Sequence, residues 1–466
     1  MGDTVTKPNI ILINCDDMGH GDLGCYGSEL NATPNIDRMA QEGVRFTDFY
    51  MVSSVCSASR AGMLTGSYPA RVGIDWVLFP GDKKGLHPDE ITIASLLKDA
   101  GYRTKLVGKW HCGDQPEFLP TNHGFDEYFG LPYSNDMGMQ ARKDGTRNNN
   151  PPLPLMRGDK VHQEQPDQAA LTERYVDECV QFLDDAGEGP FFLYLAHMYV
   201  HTPLFISDHF MAGSKNGRYG GAMAAVDWAT GVIMHELKER GLDENTVVIF
   251  TSDNGGTRKG SNGPLRGHKG TCWEGGQRVP CIMRFPGHIE PGRTESGIAA
   301  SIDLYPTLAR LAGAEVPTDR KVDGLDISSV ILEGSDSPRD TFVYHAFGAL
   351  QAVRRGPWKL RVCHRSFRAQ DMETDLKELY NLADDVGETK NVYDEHPEIV
   401  AELSGLVEEA RRDLGDNATD TQGEGVRTPG RAENPKPLTT YDENHPYIVA
   451  MYDMFDRTGA EPKYVG

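Results

Sequence analysis

The chain has 466 residues, 38% hydrophobic and 25% charged, and its 47 basic against 69 acidic residues leave a net charge of −22. That length fits two domains, or one large and one small, and the acidic balance disfavours nucleic acid and anionic membranes as general partners. No apolar run reaches the roughly eighteen residues of a membrane span, and the eight cysteines show neither a CxxC pair nor zinc-ligand spacing.

Met1–Pro8 is short and polar, without a basic stretch leading into an apolar one, so no export signal is visible. This fits cytoplasmic residence, or a mature chain whose leader was replaced by a start codon. Asn9–Asn14 is a continuous β-branched apolar run, the pattern of a buried parallel strand, and it ends in Asp16 and Asp17. Two adjacent carboxylates at a strand's C-terminal end are costly to bury unless a cation neutralises them; a solvated loop or helix cap is the alternative. A helix is expected from Thr33 to about Gly43, then a strand toward Tyr50.

Cys56-Ser57-Ala58-Ser59-Arg60 follows a β-prone stretch and precedes helix formers, which places Cys56 at a strand-to-helix junction. The N–H groups of a helix start favour an anion, and Arg60 adds fixed positive charge. Taken alone, such a cysteine reads first as a partly buried structural residue at a turn, and the rest of the chain must supply the reason to prefer a functional role. A helix to Ala100 and a strand from Tyr102 to Val107 come next, ending in Gly108-Lys109-Trp110-His111. Leu131–Asp136 is turn chemistry that includes Ser134, and Ala141–Gly158 reads as an Asn/Pro/Gly-rich loop.

A helix over Gln168–Asp184 leads to the apolar strand Phe191–Ala196, followed by His197 and His201. The helix Tyr219–Arg240 leads to the strand Thr246–Thr251, which runs into Asp253 and Asn254. Leu265–Thr271 is a glycine-spaced basic loop carrying Arg266, His268 and Lys269. A strand at Val279–Phe285 and a helix at Ile302–Leu311 follow. This alternation argues an α/β fold, a mostly parallel sheet sandwiched by helices, over residues 1–335. Residues 336–466 read as a smaller α+β domain: short strands of an antiparallel sheet at 341–345, 351–354 and 358–362, a helix at Pro397–Asp413, and an extended tail from Asn417.

Four strand ends thus deliver Asp16, Asp17, Lys109, His111, His201, Asp253 and Asn254, while loops add Cys56, Arg60 and Lys269. Three carboxylates and an amide form an oxygen-rich set suited to one hard cation, and the lysines, arginine and histidines would surround a tetrahedral oxyanion with donors.

Cys56–Arg60 with Leu64-Thr65-Gly66 resembles the signature of the formylglycine-dependent (type I) sulfatase family. Asn14–Asp17 and Ser252–Gly255 resemble its two metal segments, and Gly108–His111 its Gly-Lys-Trp-His. Leu265–Gly270 with Trp273–Gly276 is similar to its late lysine loop. Pro132–Asp136 resembles the serine-bearing loop of the arylsulfatase A and N-acetylgalactosamine-6-sulfatase branch. Ala58 stands where many members carry proline.

The resemblance implies an alkaline-phosphatase-like fold and hydrolysis of a sulfate ester, with a sulfated sugar or oligosaccharide as substrate. It implies that a maturation enzyme oxidises Cys56 to formylglycine, whose hydrate is the nucleophile. It assigns the metal, Ca²⁺ ahead of Mg²⁺, to Asp16, Asp17, Asp253 and Asn254 together with the Cys56-derived oxygen. Arg60, Lys109, His111, His201 and Lys269 become catalytic, and Ser134 contacts sulfate or substrate. The loop 137–167 with His162, Arg266 and His268, and the tail 417–466, are expected to shape sugar subsites. Family habit implies a periplasmic or secreted protein. The competing readings are a phosphatase or phosphodiesterase of the same superfamily, which would use two zinc ions, and a non-catalytic glycan-binding relative.

Overall fold

The computed structural model describes residues 7–139, 148–187, 189–367, 372–442 and 444. Expectations for residues 140–147 and 445–466 lie outside the described residues.

A large sheet is built around Asn9–Cys15, which lies parallel between Phe191–Ala196 and Thr246–Ser252. Arg103–Gly108 and Glu127–Gly130 extend it in parallel on one side. On the other, Arg278–Arg284 runs antiparallel to both Thr246–Ser252 and Val44–Tyr50. Alternate residues of the central strand enter two separate cores: Ile11 and Ile13 pack into one, Ile10 and Leu12 into the other. A strand covered on both faces needs apolar residues at every position, which explains the unbroken run in the sequence.

Register then decides what meets at the sheet's end. Cys15 pairs with Ser252, and Asn14 and Gly108 both pair with Ala196. Asp16, Lys109 and Asp253 therefore leave their strands at nearly one level. Gly108 is required at this crossing: its φ is 112°, and a Cβ there would lie 1.9 Å from the Ala196 carbonyl oxygen.

Part of the stretch expected as loop, Pro154–Arg157, instead enters the sheet. Pro154–Arg157 pairs antiparallel with Glu127–Gly130 and with Lys160–Glu164. Gly158 at φ 61° makes the tight turn, and Leu153, Leu155 and Met156 are fully buried. The prolines hid a strand whose apolar residues are few but all inward. This also moves His162 onto the outermost strand, where its ring packs edge-on against Phe129.

A second, antiparallel sheet runs Thr341–Ala346, Ala349–Arg355, Trp358–His364 and Glu373–Asn381. Its last strand, Glu373–Asn381, was not expected; it is polar along most of its length and only Leu379 and Tyr380 are buried. Helix Pro397–Leu414 packs on this sheet through Leu403 and Val407. The described part of the tail lies along the large-sheet unit: Gly430–Arg431 pairs with Lys84–Gly85, and the Gln115 side chain exchanges hydrogen bonds with the Lys436 backbone. Among the described residues no helix is long and apolar enough to cross a membrane.

Candidate active site

Cys56 opens the helix Cys56–Thr65, all ten residues of which are buried. No side chain caps its N-terminus, so its first-turn N–H groups face the cysteine's surroundings. The Ser57 hydroxyl accepts a hydrogen bond from the Leu78 amide at 3.0 Å, and the Ser59 hydroxyl donates to the Asp253 carbonyl. The helix is thereby pinned between two loops. Burial pushes the Cys56 thiol above its ordinary pKa, with Lys109 and Lys269 opposing, so this thiol is a poor thiolate nucleophile as it stands.

Around it the strand-end residues converge. Asp16 Oδ2 accepts from Lys109 Nζ and lies 3.7 Å from Arg60 Nη2. Asp17 Oδ1 accepts from Lys269 Nζ at 2.7 Å and from Asn254 Nδ2 at 2.8 Å, and Asp17 Oδ2 is 3.7 Å from His201 Nε2. Arg60 Nε donates to Asp253 Oδ2 at 2.8 Å, and its Nη1 donates to the Lys109 carbonyl at 2.9 Å. Lys109 Nζ also reaches the Ser134 hydroxyl at 3.2 Å.

Asp17 and His111 have φ of 65° and 62°, the sparsely populated left-handed region for a residue with a Cβ. Such conformations persist only where the surroundings over-determine them, and they cluster at working sites.

The electrostatics follow from packing. Burial raises Asp253 to about 6, reinforced by the neighbouring Asp16 charge and opposed by Arg60. Burial also works against ionised Asp16, yet Lys109, His201 and Arg60 together hold it below the usual carboxylate range. Burial alone would lower Lys109 and Lys269; Asp16 for the first and Asp17 for the second reverse this, and both stay charged.

His111 is held neutral, well below its ordinary pKa, first by burial and then by Lys109. Its Nε2 meets the Leu78 carbonyl at 3.0 Å, which makes Nε2 the protonated nitrogen and leaves the Nδ1 lone pair bare. His201 is the opposite tautomer: Nδ1 donates to the Thr202 carbonyl at 2.6 Å, so Nε2 faces the site.

The donor set fits a hard cation. Asp16, Cys56 and Asp253 offer ligand atoms all within 4.8 Å of one another, as do Asp16, Asp17 and His201. Asp16 Oδ1 and Asn254 Oδ1 are buried and accept no hydrogen bond from the described residues. Buried oxygens left in this way need a partner, and a hard divalent ion takes carboxylate and amide oxygens.

Three expected residues lie apart from this cluster. Arg266 turns to the second sheet, donating to the Glu388 carbonyl at 2.7 Å, with its guanidinium 3.6 Å from the Trp273 ring centre. His268 donates from Nδ1 to the Lys269 carbonyl at 2.9 Å and receives Arg258 Nε at 3.3 Å. His162 is on the sheet's edge strand. His197 is fully buried, and burial lowers it to about 3, so it is a neutral core residue. The Leu78 and Thr202 carbonyls, which set the two histidine tautomers, had no sequence signal because any residue supplies a carbonyl. Glu274 was visible only as part of Trp-Glu-Gly-Gly; its burial against Tyr50, Tyr344 and Lys359 was not.

The family model for sulfatases matches residues 8–314. The chain belongs to the sulfatase family. The model for the C-terminal part of N-sulphoglucosamine sulphohydrolase also matches, over residues 268–413. This sulfatase is 39% identical to human (Homo sapiens) arylsulfatase A over 425 residues, 83% of each chain. It is also 39% identical to N-acetylgalactosamine-6-sulfatase of Rattus norvegicus over 378 residues, 76% of this chain and 71% of the relative. Among solved structures it is similar to Ps i-CgsB in complex with k-i-k-neocarrahexaose, with TM-score 0.75 and 32% identity over 87% of this chain and 92% of the other. The PsFucS1 sulfatase from Pseudoalteromonas sp. gives TM-score 0.77 at 28% identity, over 86% and 89%. The chain is therefore a sulfuric ester hydrolase with an alkaline-phosphatase-like fold.

Proposed function

We propose that this sulfatase removes a sulfate ester from a sulfated carbohydrate, with Cys56 converted to formylglycine as the centre of the reaction. The convergence of Asp16, Asp17, Asp253, Asn254, Arg60, Lys109, Lys269 and His201 around Cys56 supports the reading. Conversion of Cys56 by a maturation enzyme would supply an aldehyde hydrate, whose second hydroxyl lets sulfate leave by elimination where a serine ester would need attack by water. A Ca²⁺ held by Asp16, Asp17, Asp253 and Asn254 would supply a Lewis acid that stabilises negative charge on the nucleophile and on a sulfate oxygen.

The chain's own residues do the rest. The three carboxylates are matched in charge by Arg60, Lys109 and Lys269, so a divalent ion leaves the site doubly positive, ready for a sulfate monoanion and one developing oxyanion. Lys109 and Ser134 hold sulfate on one side and Lys269 on the other. Arg60 fixes the Asp253 carboxylate, whose raised pKa equips it to take a proton from the nucleophile. His201, doubly protonated with its Nδ1–H held by the Thr202 carbonyl, gives its Nε2 proton to the departing sugar oxygen, and the bare Nδ1 of His111 takes the one released on elimination.

The test is sulfate release from sulfated galactans and glycosaminoglycan fragments, with metal content measured on the same preparation. Sulfate release by the wild type, lost in Cys56→Ala, with one Ca²⁺ per chain is the expected result. Full activity in Cys56→Ala, or two zinc ions per chain with phosphate-ester turnover, would overturn it.

A further inference from the structure

The loop that carries Lys269 is tied at both ends to the second sheet's side of the molecule, and both ties converge on Glu388. At the loop's start, Arg266 Nη1 donates to the Glu388 carbonyl at 2.7 Å. At its end, the Glu274 amide donates to Glu388 Oε2 at 2.8 Å. Glu388 Oε1 lies 2.7 Å from Lys359 Nζ, which in turn lies 3.0 Å from Glu274 Oε1. The Tyr344 hydroxyl donates to that same Glu274 oxygen at 2.6 Å. Between the two ends, the Trp273 ring meets the guanidinium groups of Arg266 and Arg361, 3.6 and 3.5 Å from its centre.

The side chains of Glu274, Lys359 and Glu388 are all 0% exposed. Burying such a cluster returns little net stability, because desolvation offsets the attraction and well-packed apolar residues would serve as well. What a buried ion network adds is a single arrangement of donors and acceptors. The loop needs one: Gly267, Gly270, Gly275 and Gly276 give it unusual backbone freedom. Lys269 also needs a defined place, since its ammonium pairs with Asp17 at 2.7 Å while its side chain keeps 19% exposure at the mouth of the site.

We propose that Glu388 is a positioning residue for Lys269, clamping both ends of the lysine loop so that the ammonium meets the substrate's sulfate. The inference rests on the sulfate-binding role proposed above for Lys269. Glu388 is buried and acts only through the loop.

The experiment compares Ca²⁺-loaded wild type, Glu388→Ala, Glu388→Gln, Lys269→Ala and the Glu388→Ala/Lys269→Ala double variant. The readouts are kcat and KM for a chromogenic aryl sulfate, and affinity for inorganic sulfate by calorimetry. Glu388→Ala removes the acceptor of the Glu274 amide and the partner of Lys359 but keeps the carbonyl that takes Arg266. It is expected to raise KM and weaken sulfate binding by roughly 10- to 100-fold, the scale of a misplaced binding group, with a smaller change in kcat. Glu388→Gln, which keeps an acceptor for the Glu274 amide, recovers part of the loss. On the Lys269→Ala background, Glu388→Ala adds less than about twofold, because nothing remains to be positioned.

If Glu388→Ala costs the same factor with and without Lys269, its role is general and the proposal fails. A folded Glu388→Ala with wild-type sulfate affinity also defeats it. Should Glu388→Ala not fold, Arg266→Met cuts the tie at the loop's start and is read by the same cycle. A wild type with neither sulfate-ester turnover nor sulfate affinity defeats the reading of the site itself, and this inference with it. An active wild type, impaired in Lys269→Ala and unimpaired in Glu388→Ala, defeats this inference alone.

Discussion

Replacing Lys109 by Met removes the nearest cation from Asp16, and the structure sets the size of the effect. Both side chains are 0% exposed, and Lys109 Nζ bonds Asp16 Oδ2 and the Ser134 hydroxyl. After the change, Arg60 Nη2 at 3.7 Å is the closest remaining cation to Asp16, and it is already engaged by Asp253. Stranding a buried charge costs about 3–5 kcal/mol; with Arg60 still present the lower end applies, about 3 kcal/mol in chelator. Bound Ca²⁺ shares the Asp16 charge, so the cost with Ca²⁺ falls to about 1 kcal/mol by the same reasoning. Removing both charges in Asp16→Asn/Lys109→Met strands nothing. In chelator the double variant is therefore less destabilised than Lys109→Met plus Asp16→Asn by at least ~1.5 kcal/mol. Urea unfolding followed by tryptophan fluorescence, with Ca²⁺ and with chelator, measures all of these. Equal costs in the two conditions, or strict additivity in chelator, would refute the placement of Lys109 as the partner of Asp16. In the Ca²⁺-loaded protein, kcat/KM falls by roughly 10²–10³, the loss expected for one preorganised donor to a developing oxyanion.

Other consequences can be checked independently. Cys56→Ala abolishes sulfate release, and in the active protein the Cys56 peptide is lighter by about 18 Da, the thiol-to-aldehyde difference, read by intact-peptide mass; full activity with an unmodified Cys56 would remove formylglycine from the mechanism. Gly276→Ala places a Cβ 1.9 Å from the Thr271 carbonyl oxygen inside the lysine loop, so sulfate affinity by calorimetry drops while most of the protein stays folded by circular dichroism. Asp413 is held down to about 2, first by its hydrogen bond from Arg71 and against partial burial. A depressed carboxylate stabilises the fold above its ordinary pKa near 3.8 and loses that contribution as pH falls through about 2. Melting temperature should therefore fall more steeply between pH 4 and pH 2 in wild type than in Asp413→Asn, and parallel curves would count against the Arg71–Asp413 pairing.

The strand Asn9–Asn14 was legible because a strand covered on both faces must be apolar throughout, and Asp16-Asp17 stood out against it. The same contrast exposed Lys109, His201 and Asp253 after their strands. Pro154–Arg157 was not legible, since its prolines mimic a loop and its partner strand supplies the evidence for pairing. Glu373–Asn381 failed for the opposite reason, being polar along most of its length at the edge of its sheet. Arg266 looked like a substrate contact because an arginine beside a lysine in a glycine loop reads as anion-binding; only the distant Glu388 and Trp273 turn it away.

By itself the sequence determined the chemistry: which residue types stand at strand ends, in what order, and beside which cysteine. Those are local facts, set by hydrophobic periodicity and by the cost of placing charge next to an apolar run. Only the tertiary structure decided the pairings. Asp16 with Lys109, Asp17 with Lys269, and Asp253 with Arg60 join residues far apart in the chain, and the sheet register determines them. The histidine tautomers and the Glu388 clamp depend on backbone carbonyls and buried charges contributed by remote segments, and no local pattern encodes those.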